Sequence, residues 1–285
     1  MDIAVVGAGR VGTAVAVLLT AAGHRIAAVS GRDATRARAA RHLPDVPFLP
    51  AAEAAARGEV VIVGVPDDAI AEVAKEVAGS LRAGAAVAHL SGAASLAELE
   101  PAASARATIL SIHPLQTVPD VEAGIERIPG SAVAVTARDE QGYRLGESLG
   151  ADLRGSPFRL PDERKALYHA AAVFCSNYLV AVEAVAERLF GLAGVEDPLA
   201  ALAPLARATL DHALDRGPAA ALTGPAARAD AGTIRRNLEA LEGSAKHAVP
   251  AYVVLAQAAL HLAHAEGRIE EDDVRRVEEV LDRWR

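Results

Sequence analysis

Three short clusters in this chain carry residues able to do chemistry, and each comes directly after an apolar run. They are Val65-Pro66-Asp67, Ser91-Gly92 and His113-Pro114-Leu115-Gln116-Thr117. The preceding runs read as strands, and open parallel sheets bind ligands just beyond strand C-termini. An imidazole there can donate a proton or bind a carboxylate, a serine hydroxyl can hydrogen-bond a ligand, and Val65 and Pro66 can pack on a flat ring. A second group shares one helical stretch. At about 100° per residue, Lys165, His169 and Ser176 fall within roughly 40° of one another, and Asn177 lies about 80° from His169. From Ala170 to Val185 the stretch is mostly apolar, so its polar groups either face a cleft or find partners in the core. Lys165, at its start, could equally be solvated. In a cleft, His169, Lys165 or His113 would deliver a proton while Asn177, Ser176 and Gln116 hold the substrate. Arg228, in the segment Leu222 to Asp230, offers a planar fork that matches a carboxylate.

These residues need a scaffold, and the N-terminus supplies it. The apolar strand Asp2 to Val6 runs into Gly7-Ala8-Gly9-Arg10-Val11-Gly12 and then an apolar helix from Thr13 to Ala22. A GxGxxG in that context is a dinucleotide fingerprint, with Gly7 for the tight turn, Gly9 for approach to a pyrophosphate and Gly12 for helix packing. The backbone from Ala8 through Val11 adds the helix N-terminus, which favours a phosphate. The second strand, His24 to Val29, ends in Ser30-Gly31-Arg32 with no acid at its tip. A hydroxyl and a guanidinium suit the 2′-phosphate of NADP, where a carboxylate would select NAD. Asp33 is expected to cap a helix beginning near Ala34, and Arg36 could join the phosphate pocket. Val65, Pro66 and Ser91 then fall on the nicotinamide side, with Ser91 and Gly92 shared with the substrate.

At 285 residues and 52% apolar content, the chain can bury a large core and is expected to make two domains. Its single cysteine, Cys175, excludes a disulfide framework and a cysteine-rich zinc site, and no metal-ligand grouping is found among the histidines. A formal charge of -8 argues against nucleic acid as a partner. Met1 leads straight into a strand and no uninterrupted apolar run is long enough to span a bilayer, so a cytoplasmic protein without membrane contact is expected.

Strands are predicted at Val46–Leu49, Val60–Val65, Ala85–Leu90, Thr108–Ile112 and Ser131–Thr136, with a last extended segment at Leu153–Leu160. Helices are predicted at Ala51–Arg57, Asp68–Leu81 and Asp139–Leu149. That alternation signifies βαβ units and a mostly parallel sheet. From Pro161 onward the apolar spacing is helical throughout, with helices expected at 162–190, 199–214, 231–241, 250–265 and 271–284. The expected architecture is α/β: a Rossmann-type doubly wound sheet over 1–160, followed by an all-α domain over 161–285 for substrate binding and dimerisation.

Four stretches, GAGRVG at 7–12, HPLQT at 113–117, LYHAAAVFCSNYL at 167–179 and LTGPAARAD at 222–230, together resemble a bacterial family that joins a Rossmann-like domain to the helical domain DUF2520. That family is similar in plan to 6-phosphogluconate dehydrogenase-like reductases. The resemblance implies NAD(P)H in the first domain, a small-molecule substrate in the cleft and a homodimer formed through the helical domain. It does not supply the substrate. Hydroxyisobutyrate-type enzymes carry a Lys and an Asn four residues apart on the first helix of the second domain, whereas here His169 stands four after Lys165. His113-Pro114 is similar to a pair in prephenate dehydrogenases, without the rest of their pattern. The resulting expectation is an NADPH-dependent reductase of a small carboxylate-bearing 2-oxo acid or imine, with ketopantoate preferred by family-level analogy. The alternative is a non-catalytic dinucleotide-binding sensor or regulator.

Overall fold

Seven strands make one sheet in the computed structural model, which describes residues 1–285. They are β1 Asp2–Val6, β2 Arg25–Ser30, β3 Val60–Val63, β4 Ala86–His89, β5 Thr108–Pro114, β6 Ala132–Ala137 and β7 Ser156–Arg159. The order is β2-β1-β3-β4-β5-β6-β7, parallel except where β6 runs antiparallel to β5. The near-continuous Val/Ile/Ala content of β1, β3 and β4 fits strands covered on both faces. One face packs Ile3, Val5, Ile62, Ala88, Leu110 and Ile112; the other packs Val61, Val63, Val87 and Ile109 against Ile70, Leu96 and Leu99. Each fully buried Val, Ile or Leu adds about 1.5–3 kcal/mol.

The chain forms two compact units, Met1–Asn177 and Tyr178–Arg285. The sheet-bearing unit therefore includes the helix start beyond residue 160. The second unit is helical, and its core gathers Ile234, Leu238, Leu260, Val277 and Leu281.

The predicted strand at Val46–Leu49 is reduced to a bridge between Phe48 and Val29. Pro47 and Pro50 flank it and bring no N–H to a ladder. Two helical segments are present that the apolar spacing does not announce, Leu96–Ser104 and Val121–Arg127. Ser95 and Asp120 cap them by accepting from the N–H groups of Ala97 and Ala123. The long helix after residue 161 is also more varied than expected. A 3₁₀ turn at Asp162–Arg164 leads into an α-helix at Lys165–Val173, a π-helical turn at Phe174–Tyr178 and a second α-helix at Leu179–Leu192.

Two helical stretches, Asp162–Leu192 and Lys246–Ala265, are long and apolar enough by length and composition to cross a membrane. Lys165, Glu183, Glu187 and Arg188 interrupt the first stretch, and Gln257, His261 and His264 interrupt the second, so neither is the unbroken apolar run on which the expectation of none rests.

Candidate active site

Val6, Val63, His89 and Ser111 form one row across β1, β3, β4 and β5. The C-terminal edge of the parallel strands lies just beyond that row. The order in which strands are added reverses at β1, which lies between β2 and β3, and this is the switch point at which doubly wound sheets open a crevice. Gly7 turns there with φ +102, and a Cβ on it would lie 2.6 Å from the Gly64 carbonyl carbon. Gly12 is equally confined, since a Cβ would meet the Gly7 oxygen at 2.3 Å. Gly9 differs: the nearest protein atom to its Cβ position is 3.6 Å away, so the fold itself does not demand glycine here.

The N–H groups of Gly7 and Ala8 both donate to the Ser30 carbonyl, and that of Gly9 donates to Gly7. Ala8 is fully buried, so it shapes the turn without presenting its own N–H. The helix Arg10–Ala21 begins at Gly9 with no side-chain cap, and its first bond back to the turn is from Thr13 to Gly9. The N–H groups of Arg10, Val11 and Gly12 are left to an outside acceptor. A cradle open at Gly9 beneath unpaired N–H groups fits a dinucleotide pyrophosphate.

At the neighbouring corner, Ser30 is buried and Arg32 is exposed. The Arg32 guanidinium makes no ion pair, so its charge faces solvent beside the crevice. Asp33 is the first helical residue of Asp33–His42 and not its cap, which corrects the expected start. Arg36 lies over the Phe48 ring at 4.3 Å, which fixes it on that side chain.

The densest polar cluster lies further along the same edge. Period two puts Ile109, Ser111 and His113 of β5 on one face, so the apolar row turns polar toward the strand end. Lys165 is 1% exposed, and its Nζ donates to the Ser91 carbonyl at 3.0 Å and to Ser111 Oγ at 2.8 Å. Ser111 Oγ itself donates to the Ser91 carbonyl at 3.1 Å, and Ser91 Oγ donates to Asp67 at 2.7 Å. Asp162 holds the start of the lysine helix by accepting from Ser95 Oγ and the Leu96 N–H. Burial pulls Lys165 down to about 8, against the opposing charges of Asp162 and Asp67. Solvation near the helix start is thereby overturned for this side chain.

His89 is also fully buried, and burial with the nearby Lys165 holds it near 3, hence neutral. Its Nδ1 accepts the Ser91 N–H at 3.1 Å, which puts the proton on Nε2, where no partner is found. His89 thus fixes the loop whose carbonyl receives Lys165.

His113 is paired differently. Tyr168 OH lies 2.9 Å from its Nδ1, and burial raises that phenol to about 12, so the hydroxyl keeps its proton and is able to donate to Nδ1. In the tautomer that accepts this bond, the His113 proton sits on Nε2. Burial, then the charge of Lys165, lowers His113 to about 4, so at neutral pH it is an uncharged hydrogen-bond donor. Its ring covers Gly92, where a Cβ would lie 2.7 Å from Cε1. Tyr168→Phe should leave Nδ1 unpaired, lowering stability by about 1–2 kcal/mol and freeing the tautomer. Imidazole ¹⁵N shifts report this directly; an unchanged Nδ1/Nε2 pattern would remove the assigned bond.

The other expected residues separate. His169 is half-buried, and its Nδ1 is enclosed without a partner. Ser176 and Asn177 fall inside the π-helical turn, where wider i to i+5 bonding breaks the α-helical phase that would align them with Lys165. Ser176 is half-buried and Asn177 exposed. Gln116 is exposed and turned onto its own loop, accepting from the Thr117 N–H at 2.8 Å. Val65 is half-buried against Gly7, and Pro66 is exposed. Arg228 belongs to the helical unit, exposed in the turn Ala226–Arg228. Ser111, Asp162, Tyr168 and His89 join the cluster without having been expected there, and Asp67 joins it from the expected tip Val65-Pro66-Asp67 with no role assigned to it beforehand. For Ser111 and His89 a signal exists in the sequence, a polar residue at an inward position of an otherwise apolar strand.

A glycine turn at the switch point of a mostly parallel sheet defines a Rossmann-type α/β protein. Residues 1–114 match the Rossmann-like domain, and residues 131–259 match the domain of unknown function DUF2520, so the chain joins these two domains in that order. Among solved structures, a candidate NADP oxidoreductase from Bacteroides fragilis aligns with TM-score 0.77 at 22% identity, over 91% of this chain and 98% of that one. Protein TM1727 from Thermotoga maritima gives 0.69 at 25% identity, over 93% and 99%. An imine reductase from Pseudomonas sp. gives 0.61 at 18% identity, over 94% and 99%. These likenesses establish the fold. A search of curated proteins gives no match.

Proposed function

We propose that the protein is an NADPH-dependent reductase of a small carboxylate-bearing 2-oxo acid or imine. One observation carries this reading: a fully buried lysine bonded to the tips of β4 and β5, on the same sheet edge as the open glycine cradle. The strand row separates the two by roughly 10–15 Å, from two to three strand spacings. The similar solved structures described as a candidate NADP oxidoreductase and an imine reductase support the same class.

In this reading the N–H groups of Arg10 and Val11 hold the pyrophosphate, and Ser30 with Arg32 receives the 2′-phosphate. When bound, the nicotinamide supplies hydride to the substrate carbon. Lys165 gives a proton to the substrate oxygen or nitrogen, because an ammonium near 8 is charged at neutral pH yet releases its proton readily. Two of its protons are held by Ser91 and Ser111, which leaves the third for transfer. His113 Nε2–H donates to the substrate without changing charge. His169 is the other proton donor available on that helix. Ketopantoate remains the preferred substrate by analogy of family plan alone.

NADPH oxidation against a panel of 2-oxo acids and cyclic imines tests the activity. Turnover with one of them is expected; tight NADPH binding with no turnover would favour a dinucleotide-binding sensor. The phosphate assignment has a separate test. Arg32→Ala should weaken NADPH binding roughly 10- to 100-fold while leaving NADH nearly unchanged. Equal losses for both cofactors would contradict it.

A further inference from the structure

A cavity of about 370 Å³ opens where three helices of the sheet-bearing unit meet: the first turn of Arg10–Ala21, the second half of Asp33–His42 and the start of Val121–Arg127. Gly124 lets two of them close on each other, since a Cβ on it would lie 2.7 Å from that of Ala14. Arg38, Arg41 and His42 stand at i, i+3 and i+4, so one face of their helix supplies all three to the cavity. Arg10 lines it from another helix, and its Nη1 donates to the Pro119 carbonyl at 3.1 Å. Two acids, Asp120 and Glu122, complete the lining.

The charges around this hollow do not cancel. Asp120 is engaged as a helix cap, accepting from the Ala123 N–H at 2.7 Å. Glu122 is shared, with Arg41 at 3.0 Å and His42 at 3.7 Å from the same Oε1. Arg10 spends its bond on a carbonyl, which leaves its charge uncompensated. The Arg38 side chain is half-buried, and its guanidinium has neither a hydrogen bond nor an ion pair. A chain with a formal charge of -8 thus gathers three permanent positive charges around one cavity.

We infer that this cavity is a second anion site, which takes a phosphate-bearing small molecule other than the dinucleotide. Guanidinium forks match phosphate oxygens, and one phosphate accepts from several of them at once, whereas a planar carboxylate is matched by a single fork. The volume holds a phosphate group together with a small organic body. Glu122 is no barrier, because its pair with Arg41 is exposed and such pairs are weakly held. The 2′-phosphate corner lies elsewhere. Arg36 stands about 200° around the helix from Arg38 and lies over the Phe48 ring, while Arg32 precedes the helix. The arginines of this segment therefore serve two separate directions. The inference goes beyond the proposed activity and does not depend on it.

Calorimetric titration of the full chain with inorganic pyrophosphate decides it, at about 0.15 M ionic strength and with saturating NADP⁺ present to fill the glycine cradle. One saturable site is expected, with a Kd below about 1 mM. Arg38→Ala should raise that Kd at least about tenfold, while its thermal melt and its NADPH affinity match wild type, because the guanidinium takes part in no bond of the fold. Arg41→Ala provides a second variant and must weaken pyrophosphate binding as well. A titration without a saturable site would overturn the inference. So would variants that bind pyrophosphate as tightly as wild type, or citrate binding as tightly as pyrophosphate.

Discussion

Replacing Lys165 with methionine is expected to lower kcat by about 10²- to 10⁴-fold while NADPH binding stays close to wild type. The length and stem of the side chain are preserved, and Ser111 Oγ still donates to the Ser91 carbonyl, so the neighbouring groups keep each other. Stability should not fall. Holding an ammonium at 1% exposure is unfavourable, and the shift from 10.5 to about 8 corresponds to about 3 kcal/mol. The penalty depends on pH in a definite direction. Below pH 8 both folded and unfolded chains carry the proton, and the folded state bears the whole penalty. Between about 8 and 10.5 the folded chain has released it and the unfolded chain has not, so wild-type stability rises with pH relative to Lys165→Met. Urea midpoints of the two proteins from pH 7 to pH 10.5 should therefore converge, or the wild type should overtake. The reduction rate should run the other way, flat below about 8 and falling above it as the acid loses its proton.

Two glycines of the turn should behave in opposite fashion. Gly7→Ala puts a side chain at φ +102 with its Cβ 2.6 Å from the Gly64 backbone, which has no rotamer by which to withdraw. Conformational strain of about 1–3 kcal/mol adds to that overlap, and the variant should unfold well before wild type or fail to accumulate. Gly9→Ala has room, with φ -73 and the nearest atom 3.6 Å from the added carbon. Its melting temperature should match wild type, while NADPH binding weakens at least about tenfold because the methyl occupies space kept for the pyrophosphate. Fluorescence titration with NADPH, alongside thermal melts, separates the two effects. A Gly9→Ala protein that binds NADPH normally would mean that the cradle serves another purpose.

The sheet is legible in the sequence because strands such as Val60–Val63 are short, apolar and bounded, and because a GxGxxG between strand and helix has few other meanings. The third-strand position misleads because prolines break the hydrogen-bond ladder around Phe48. The site is legible only in part. His113, Ser91 and Lys165 stand out by residue type, but partners such as Tyr168 and Asp162 are set by contacts far apart in sequence. His113 and Tyr168 lie 55 positions apart, and Ser95 and Asp162 lie 67 apart. An ideal helical angle misplaces Ser176 and Asn177, and a π-helical turn has no periodic signature that a single sequence exposes. Asp67 stands at a strand tip selected from the sequence, but only the fold brings Ser91 Oγ onto it.

The chain contains three lysines, Lys75, Lys165 and Lys246, so selective ¹³Cε labelling of lysine gives a spectrum simple enough to follow one ammonium directly. A pH titration with and without NADP⁺ is the most direct test of a buried proton donor beside the cofactor. One resonance should titrate near 8, vanish in Lys165→Met and move when NADP⁺ binds. A Lys165 signal that titrates at the ordinary lysine value of 10.5, or one indifferent to NADP⁺, would contradict the assignment of Lys165 to the reaction.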